Sequence, residues 1–369
     1  MKTHRLIKRT LIGSALLLAS SVAWATTCGY NPDNPYGNGP LVTTMPLQGG
    51  TISIGRDMKN GTVLYRQTFR ASPAVRILCP ASVTSVREEY QISPIPSPIP
   101  DRPEFGGKVY KTNIPGVGVA IWFAGNGFPY TRTFNNCGGG TANCIYSYSA
   151  FDISLIKTGP IEGGEIRGDS LSSMSVSFVS PNKVDIYRVS FSGSINVVAA
   201  TCTTPDVNVP LGSYRVNDLK GIGSGTPSRD FEIRLNNCPA VSGYFNGSDA
   251  NTPIWYSNGT ATAGTRSGHP VTYQLNPKSG AIDAAKGIAR LSASSPGNAP
   301  AATGIGVEIT DRFNQPRPLG SFIPWITMRP GQLGGQSMSI PLRARYIQVA
   351  DTVTAGPANA AVEFLLNYQ

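Results

Sequence analysis

Histidine is nearly absent from this sequence, and its scarcity excludes most catalytic arrangements that depend on it. Only two of the 369 residues are histidine, and one of them, His4, lies in the basic N-terminal segment. The other, His269, stands in a stretch that is typical of a turn, Thr265–Pro270. A Ser-His-Asp or Cys-His nucleophile system would have to use His269, and the sequence has no GxSxG motif. The sequence therefore does not favour an enzyme.

Acidic residues and metal-binding patterns are also scarce. The 21 Asp and Glu residues are scattered along the chain, and no Cys-x-x-Cys pair is present. Zinc sites usually combine several His or Cys ligands at short spacing, so we expect no metal and no cofactor. The Lys and Arg residues form no dense block, so we also expect no nucleic-acid partner.

The first 25 residues have the three parts of a secretory signal peptide. Basic residues come first, an apolar run follows at Leu11–Leu18, and Ala23–Ala25 reads Ala-Trp-Ala, which matches a small-residue cleavage site. We predict a signal peptide over residues 1–25, with the mature protein beginning at Thr26. The mature chain has 27 basic and 21 acidic residues, so its net charge is +6 rather than +10.

Six cysteines follow the predicted signal peptide. An even number in an exported chain indicates three disulfides, for which sequence alone allows 15 connectivities. The order along the chain favours Cys28–Cys79, Cys137–Cys144 and Cys202–Cys238.

Glycine and proline are abundant, and long helical periods are lacking. The chain contains 41 Gly and 30 Pro, which separate short runs rich in β-branched and aromatic residues. This pattern is typical of β-sandwiches, and the length suits two domains. We predict an all-β protein with a first domain over residues 26–198, a small-residue linker over 199–201 and a second domain over 202–369.

The last stretch alternates in hydrophobicity. Val362, Phe364, Leu366 and Tyr368 occupy every second position, and the sequence ends at Gln369. This period of two predicts a half-buried strand. An apolar edge strand needs a neighbour, so either the strand is an ordinary last strand covered within its own fold, or a partner chain supplies the missing neighbour.

Several short elements of the second half follow one another in a set order: Cys202, Val207–Gly212, Cys238, Ile305–Val307, Ile340–Tyr346, Ala355–Gly356 and Tyr368–Gln369. Together they resemble the pilin domain of chaperone–usher fimbriae. The resemblance implies an immunoglobulin-like sandwich that lacks its last strand. The resemblance also implies that a periplasmic chaperone, and later the next subunit, lends the missing strand. Val362, Phe364 and Leu366 would border the receiving groove, and Tyr368 with Gln369 would anchor the subunit to the basic cleft of the chaperone.

The first half then indicates the kind of subunit. A whole domain replaces the short donor peptide with which an ordinary pilin begins, as in two-domain tip adhesins of the type 1 or type 3 pilus. This resemblance implies two immunoglobulin-like domains, export through the periplasm, an outer-membrane usher, an adjacent minor pilin subunit, and a fimbrial tip position on the bacterial surface. The expected ligand is a host glycan or an extracellular-matrix protein. The alternative is a structural subunit that initiates the fibre without a receptor of its own.

Two groups of residues are candidates for ligand binding in the first half. One group corresponds by resemblance to the ligand pocket of mannose-binding relatives. This chain lacks the aromatic first residue of those relatives, so mannose is not predicted. The other is an aromatic and Asn-rich stretch before Cys137, because aromatic faces stack on sugars. The candidates are Thr26, Glu88, Glu89, Trp122, Tyr130, Arg132, Asn182 and Asp185. For Trp122, a place in the core is the favoured alternative.

Overall fold

The computed structural model describes residues 27–80, 83–134, 144–145, 150–199, 201–331 and 336–369. The predicted signal peptide, Thr26 and Cys137 lie outside these residues, and so does the predicted Cys137–Cys144 disulfide. No helix in the described part of the chain is long and apolar enough to cross a membrane.

The first half consists of short strands and two single-turn 3-10 helices, Glu104–Gly107 and Gly168–Ser170. The strands are β1 Gly29–Tyr30, β2 Leu41–Pro46, β3 Gly50–Ile54, β4 Val63–Arg70, β5 Ile77–Cys79, β6 Val86–Ser93, β7 Tyr110–Lys111, β8 Val117–Phe123, β9 Asn126–Gly127, β10 Tyr130–Phe134, β11 Cys144–Ile145, β12 Ala150–Lys157, β13 Gly164–Arg167, β14 Ser173–Val179, β15 Lys183–Ser192 and β16 Ser194–Ala199.

The second half has the same character, with 3-10 turns at Val216–Asp218 and Asp249–Asn251. Its strands are β17 Arg229–Cys238, β18 Ile254–Tyr256, β19 Ala261–Thr262, β20 His269–Pro277, β21 Ala281–Asp283, β22 Ile288–Ala289, β23 Ile305–Asp311, β24 Ile323–Met328, β25 Gln336–Gln348 and β26 Val362–Tyr368. The predicted all-β fold is confirmed.

Two sheets face each other in the N-terminal half. One has the strand order β10-β6-β14-β15-β2, and the other runs β19-β18-β4-β12-β8-β7 with β9 attached to β8. Aromatic rings from both sheets meet between them. The Phe69 ring in β4 lies 5.6 Å from the Tyr187 ring in β15, and the Tyr90 ring in β6 lies 5.5 Å from the Phe123 ring in β8. The smaller sheets β1-β5-β11 and β13-β16-β3 complete this half.

Two strands of the second sheet come from the C-terminal half of the sequence. Strand β18 pairs in parallel with β4, with Trp255 opposite Phe69, and β19 forms the sheet edge beyond it. Trp255 and Phe245 are buried in the N-terminal core. The hydrophobic effect therefore holds residues of the second predicted domain against the first.

The remaining C-terminal strands form a second sandwich. Its sheets have the orders β17-β25-β23-β22-β21 and β24-β20-β26, and both contribute to one core. Burial alternates along β20 from His269 to Leu275, as expected for a strand with one face on the core. The prediction of two β-sandwiches is thereby confirmed.

Disulfide bonds join Cys28 to Cys79 and Cys202 to Cys238. These are two of the three pairs that chain order favours. The first ties the start of the described chain to β5, and the second ties the start of the C-terminal half to the end of β17. Each bond closes a loop and so restricts the unfolded chain more than the folded one.

The stretch after Cys202 has the pattern of a strand but no strand partner among the described residues. Val207, Val209 and Leu211 alternate in burial as a strand would, but residues 204–214 pair with no strand in the described part of the chain. We call residues 202–214 the extended segment. Its one ladder contact within the described ranges is the bridge between Thr203 and Asn236.

His269 lies at the junction of the two halves rather than in a turn. It begins β20 and is fully buried. Its Nε2 lies 3.1 Å from the Ser53 hydroxyl and its Nδ1 lies 3.0 Å from the backbone oxygen of Gln369, while its ring stacks on Tyr244. Burial lowers the pKa of His269 below 6.5, and hydrogen bonds with Gln369 and Ser53 offset only part of that effect.

This depressed pKa predicts that the folded chain loses stability in mild acid. The unfolded state takes up the proton first as the pH falls below 6.5, so the loss is at most about 1.4 kcal/mol per pH unit. The loss ends when the pH falls below the folded pKa. Urea unfolding at several pH values should show this slope in the native chain and not in His269→Gln. Equal slopes in both proteins would contradict the assignment.

Candidate functional site

A polar pocket lies on the N-terminal half beside the Cys28–Cys79 disulfide. Its volume is about 810 Å³. It is lined by Cys28, Gly29, Tyr30, Pro40, Ser175, Asn182, Lys183, Val184, Asp185 and Arg188. Strand β1 forms one wall, and the turn between β14 and β15 forms another. The predicted candidates Asn182 and Asp185 therefore line one cavity, with Asn182 donating to the backbone oxygen of Cys28 at 3.1 Å.

Asp185 carries the negative charge of this polar pocket. Its Oδ1 accepts from the Ser177 hydroxyl at 2.8 Å, and its Oδ2 pairs with the guanidinium of Arg188. Burial acts to raise the pKa of Asp185, but the hydrogen bonds from Ser177 and Arg188 outweigh it and hold the pKa below its usual range. The carboxylate is thus ionised at neutral pH and can accept hydrogen bonds from ligand hydroxyl groups.

Tyr30 supplies the aromatic side chain of the polar pocket. Its hydroxyl donates to the backbone oxygen of Asp185 at 2.8 Å, and the side chain is partly buried. Burial raises the pKa of Tyr30, and the Asp185 charge adds to that effect. Tyr30, Lys183 and Arg188 also line the polar pocket and were not among the predicted candidates. Tyr30 stands two residues after Cys28, and Arg188 three residues after Asp185, so their proximity to predicted candidates was a usable signal.

Glu89 lies beside the polar pocket, where it pairs with the lining residue Lys183. Its carboxylate is 3.3 Å from the Lys183 ammonium and 2.9 Å from the Arg87 guanidinium. Across the sheet, Glu89 is opposite Ser177, which in turn is opposite Asp185. Three strands therefore present one row of polar groups that ends at the polar pocket.

Glu88, Tyr130 and Arg132 form a separate cluster between the sheets. Glu88 is fully buried, and its carboxylate pairs with Arg132 and accepts from the Tyr90 hydroxyl at 2.8 Å. The guanidinium of Arg132 lies 4.9 Å from the Phe123 ring centre, and the rings of Tyr130 and Tyr90 are 5.8 Å apart. The structure thus brings these three candidates together outside the polar pocket, with Glu88 buried and Tyr130 and Arg132 partly exposed on the edge strand β10.

Trp122 belongs to neither group. Its Nε1 donates to the Ser154 hydroxyl at 3.0 Å, and its ring packs on Phe105 and under the guanidinium of Arg66. Because side chains alternate along β8, Trp122 faces away from Phe123 and lies in a small apolar cluster with Ile99 and Phe105. The alternative that places Trp122 in a packed layer agrees with this position.

The β26 edge is hydrogen-bonded on one side. Opposite residues in an antiparallel pair alternate between exchanging two hydrogen bonds and exchanging none. Tyr368 lies opposite Val271 in β20, yet its N–H and C=O bind Asp57 instead, at 3.0 and 3.1 Å. Tyr368 therefore directs its backbone groups away from β20.

The same alternation directs three further pairs of backbone groups away from β20. They belong to Val362, Phe364 and Leu366, and no hydrogen bond reaches them within the described part of the chain. Their side chains are partly buried against the C-terminal core. We call this open edge the edge slot.

The extended segment runs beside the edge slot. The Tyr368 hydroxyl lies next to the Cys202 backbone, at one end. At the other end, the Tyr214 ring lies 6.3 Å from that of Tyr346, whose hydroxyl donates to Ala358 just before β26. The extended segment thus comes close to the end of β26 at Cys202 and to the residues before β26 at Tyr214, and it pairs with no strand in the described part of the chain.

No group of three or more His, Cys, Asp or Glu side chains in the described ranges is placed to hold a metal ion. The polar pocket has hydrogen-bonding and charged groups, and the edge slot has unpaired backbone groups with apolar side chains. The first arrangement suits a polar ligand and the second suits a β-strand.

Two family profiles match the chain. The "Fimbrial protein" profile matches residues 189–369, and the "MrkD-like receptor binding domain" profile matches residues 45–172. The first covers the second sandwich, and the second ends before the turn that carries Asn182.

Relatives of known name match along the whole chain or along its second half. A fimbria adhesin protein of Klebsiella pneumoniae is 24% identical over 98% of this chain and 99% of its own length. A type-1 fimbrial protein subunit of Serratia marcescens is 30% identical over 49% of this chain and 86% of its own length.

Two of the solved structures that match most of this chain are a tip adhesin and a complex of a chaperone with a tip adhesion subunit. The CupB6 tip adhesin of Pseudomonas aeruginosa is 17% identical, with a TM-score of 0.33, over 85% of this chain and 89% of that one. The CsuC–CsuE chaperone–tip adhesion subunit complex of Acinetobacter baumannii is 11% identical, with a TM-score of 0.26, over 92% and 100%.

The two profiles lie in the same order as the two sandwiches, and the Klebsiella relative extends over both. The resemblance to two-domain fimbrial adhesins is thereby confirmed. The chain belongs to the fimbrial protein family, as an adhesin with a receptor-binding domain followed by a pilin domain.

Proposed function

We propose that the chain is a fimbrial tip adhesin. Its N-terminal domain binds a host glycan or an extracellular-matrix protein, and its pilin domain joins the fibre by accepting a strand from another protein. The polar pocket is the observation that carries the binding half of this proposal. It has no assigned catalytic role, and we propose no enzymatic activity.

The polar pocket supports a glycan ligand on chemical grounds. Asp185 accepts hydrogen bonds, and Lys183 and Arg188, both more than half exposed, donate them. Tyr30 offers an aromatic ring on which the C–H face of a sugar can stack. A disulfide fixes the β1 wall, so less of the site has to be ordered when ligand binds.

The edge slot supports assembly by strand donation. Three outward residues of β26 have both backbone groups free, while their apolar side chains reach the core. A strand of a second chain would satisfy those groups and cover those side chains together, which is the β-augmentation mode. The partners we propose are a periplasmic chaperone first, then the adjacent minor pilin subunit, with an outer-membrane usher in between.

A glycan array together with immobilised collagen and fibronectin tests the binding half. The full chain should bind at least one of these surfaces. Asp185→Asn should weaken binding about tenfold or more, because a charge-assisted hydrogen bond is worth roughly 1.5–3 kcal/mol. Asp169→Asn is the matched control, since Asp169 also pairs with a nearby arginine but lies outside the polar pocket.

The alternative function is a structural subunit that initiates the fibre without a receptor. A native chain that binds none of these surfaces would favour it. Equal binding by Asp185→Asn and the native chain would instead remove the polar pocket from the account. A thermal melt of each variant separates lost binding from lost folding.

A further inference from the structure

Asp57 of the receptor-binding domain occupies a strand position on the pilin domain. It lies in the loop between β3 and β4, and it is 311 residues from Tyr368 in sequence. Its N–H donates to the Tyr368 carbonyl at 3.1 Å, and its Oδ2 accepts from the Tyr368 N–H at 3.0 Å. A neighbouring strand would make the same two kinds of bond. Asp57 therefore makes, through its N–H and its carboxylate, the two backbone hydrogen bonds that a strand residue would make at the end of the edge slot.

A glycine two residues before Asp57 allows the two backbones to approach closely enough for this contact. At Gly55 the receptor-binding domain approaches the Tyr368 backbone so closely that a Cβ atom would overlap it. Glycine at this position thus permits the approach. The contact is confined to the last of the four outward residues, since Val362, Phe364 and Leu366 have no such partner among the described residues.

We propose that Asp57 is a cap that ends strand pairing along β26 at Leu366, and that a longer strand must displace it. This proposal rests on the proposed strand acceptance by the pilin domain. A partner strand that reaches only Leu366 leaves the contact between Asp57 and Tyr368 in place. A strand that continues to Tyr368 competes for the same backbone groups and releases this contact between the two domains.

Asp57 has two cationic neighbours besides its contact with Tyr368. Its Oδ1 accepts from the Arg56 guanidinium at 3.3 Å. The Lys157 ammonium is close enough for the Asp57 charge to raise its pKa, although burial is the larger effect and lowers it. A displaced Asp57 carboxylate would therefore still have two cations nearby. The length of the bound strand would thus decide whether the domains stay joined at this point.

Amide hydrogen exchange in the full chain tests the cap directly. We expect the Tyr368 amide to exchange at least tenfold more slowly than those of Phe364 and Leu366, because only the Tyr368 amide is bonded. In Asp57→Ala the Tyr368 amide should speed up about tenfold, with Leu366 unchanged, and Arg56→Ala should leave both rates as they are. An unchanged Tyr368 rate in Asp57→Ala would overturn the cap. Slow exchange at Leu366 in the free chain would instead contradict the open edge slot and the proposed function.

Two synthetic peptides of alternating valine and threonine test the competition. One is long enough to reach Leu366, and the other is two residues longer and reaches Tyr368. In the native chain the longer peptide should gain less than about threefold in affinity, and in Asp57→Ala about tenfold, the usual range for one or two hydrogen bonds. The same gain in both proteins would overturn the competition. Failure of both peptides to bind would contradict strand acceptance by the pilin domain, and with it the proposed competition with Asp57. The exchange rate of the Tyr368 amide would still test the contact between Asp57 and Tyr368.

Discussion

Replacing Trp255 with alanine is expected to destabilise the N-terminal domain by about 3–5 kcal/mol, the usual cost of removing a buried tryptophan. Trp255 belongs to the C-terminal half of the sequence, yet it is only 7% exposed and packs in the N-terminal core. Its ring lies 5.9 Å from that of Phe69, and β18 pairs with β4 at the same point. The cavity would therefore open in the receptor-binding domain.

Urea unfolding of the full chain measures this effect, with proteolysis to show which domain opens first. Tyr256→Ala is the matched control, because Tyr256 is the next residue of the same strand and is only partly buried. We expect the control to cost about 1 kcal/mol or less. A loss below 1 kcal/mol for Trp255→Ala, or a loss confined to the pilin domain, would contradict the packing described here. A fragment that ends at residue 199 should be destabilised for the same reason.

Phe364→Asp is expected to abolish capture of the chain by the periplasmic chaperone that we propose as its partner. Phe364 lies on the core side of β26, where it packs against the C-terminal core beside the edge slot. A carboxylate at this position has no cationic partner on the strand and would carry a large desolvation cost. Deleting residues 361–369 should have the same result, because it removes the whole pairing edge.

Leu365→Asp is the control for that substitution. Leu365 is the next residue but points to the opposite face and is 42% exposed. Its replacement should leave co-purification with the chaperone within about threefold of the native level, since a surface substitution rarely costs more than about 0.5 kcal/mol. Equal loss for both variants would mean that β26 does not have the sidedness on which the edge slot depends.

The local pattern predicted much of the fold. The period of two at Val362, Phe364, Leu366 and Tyr368 predicted a half-buried strand, and β26 covers these residues. The abundance of Gly and Pro predicted short strands. Such features depend on neighbours in sequence, which is why they are readable without coordinates.

Contacts across the sequence were not readable in this way. The pairing of Ile254 with Thr68 joins positions far apart in sequence, and nothing in the short strand β18 indicates which sheet it will enter. The same reason explains why Glu88 was a ligand candidate. Glu88 alternates with Val86 and Tyr90 along β6, so its side chain points inward. The ion pair with Arg132 on β10 offsets the free-energy cost of burying this carboxylate, and that contact is not visible in the local sequence.

The candidate site was partly predictable. Asn182 and Asp185 were named from a polar turn, and they do line the polar pocket. Tyr30 and Arg188 complete its charge and its aromatic wall, but the contribution of Tyr30 depends on a contact between β1 and β15 that joins residues 155 positions apart. Whether this pocket binds the receptor remains our proposal, and the Asp185→Asn comparison addresses it.

Amide exchange at Phe364 and Leu366, in the free full chain and in the chain bound to the proposed chaperone, decides whether the pilin domain accepts a strand at β26. The account predicts fast exchange in the free chain, because these amides point into the edge slot. It predicts exchange about 100-fold slower in the complex, where a partner strand supplies the missing acceptors. Slow exchange in the free chain, or no change on binding, would contradict the claim that the pilin domain is completed by a strand from another protein.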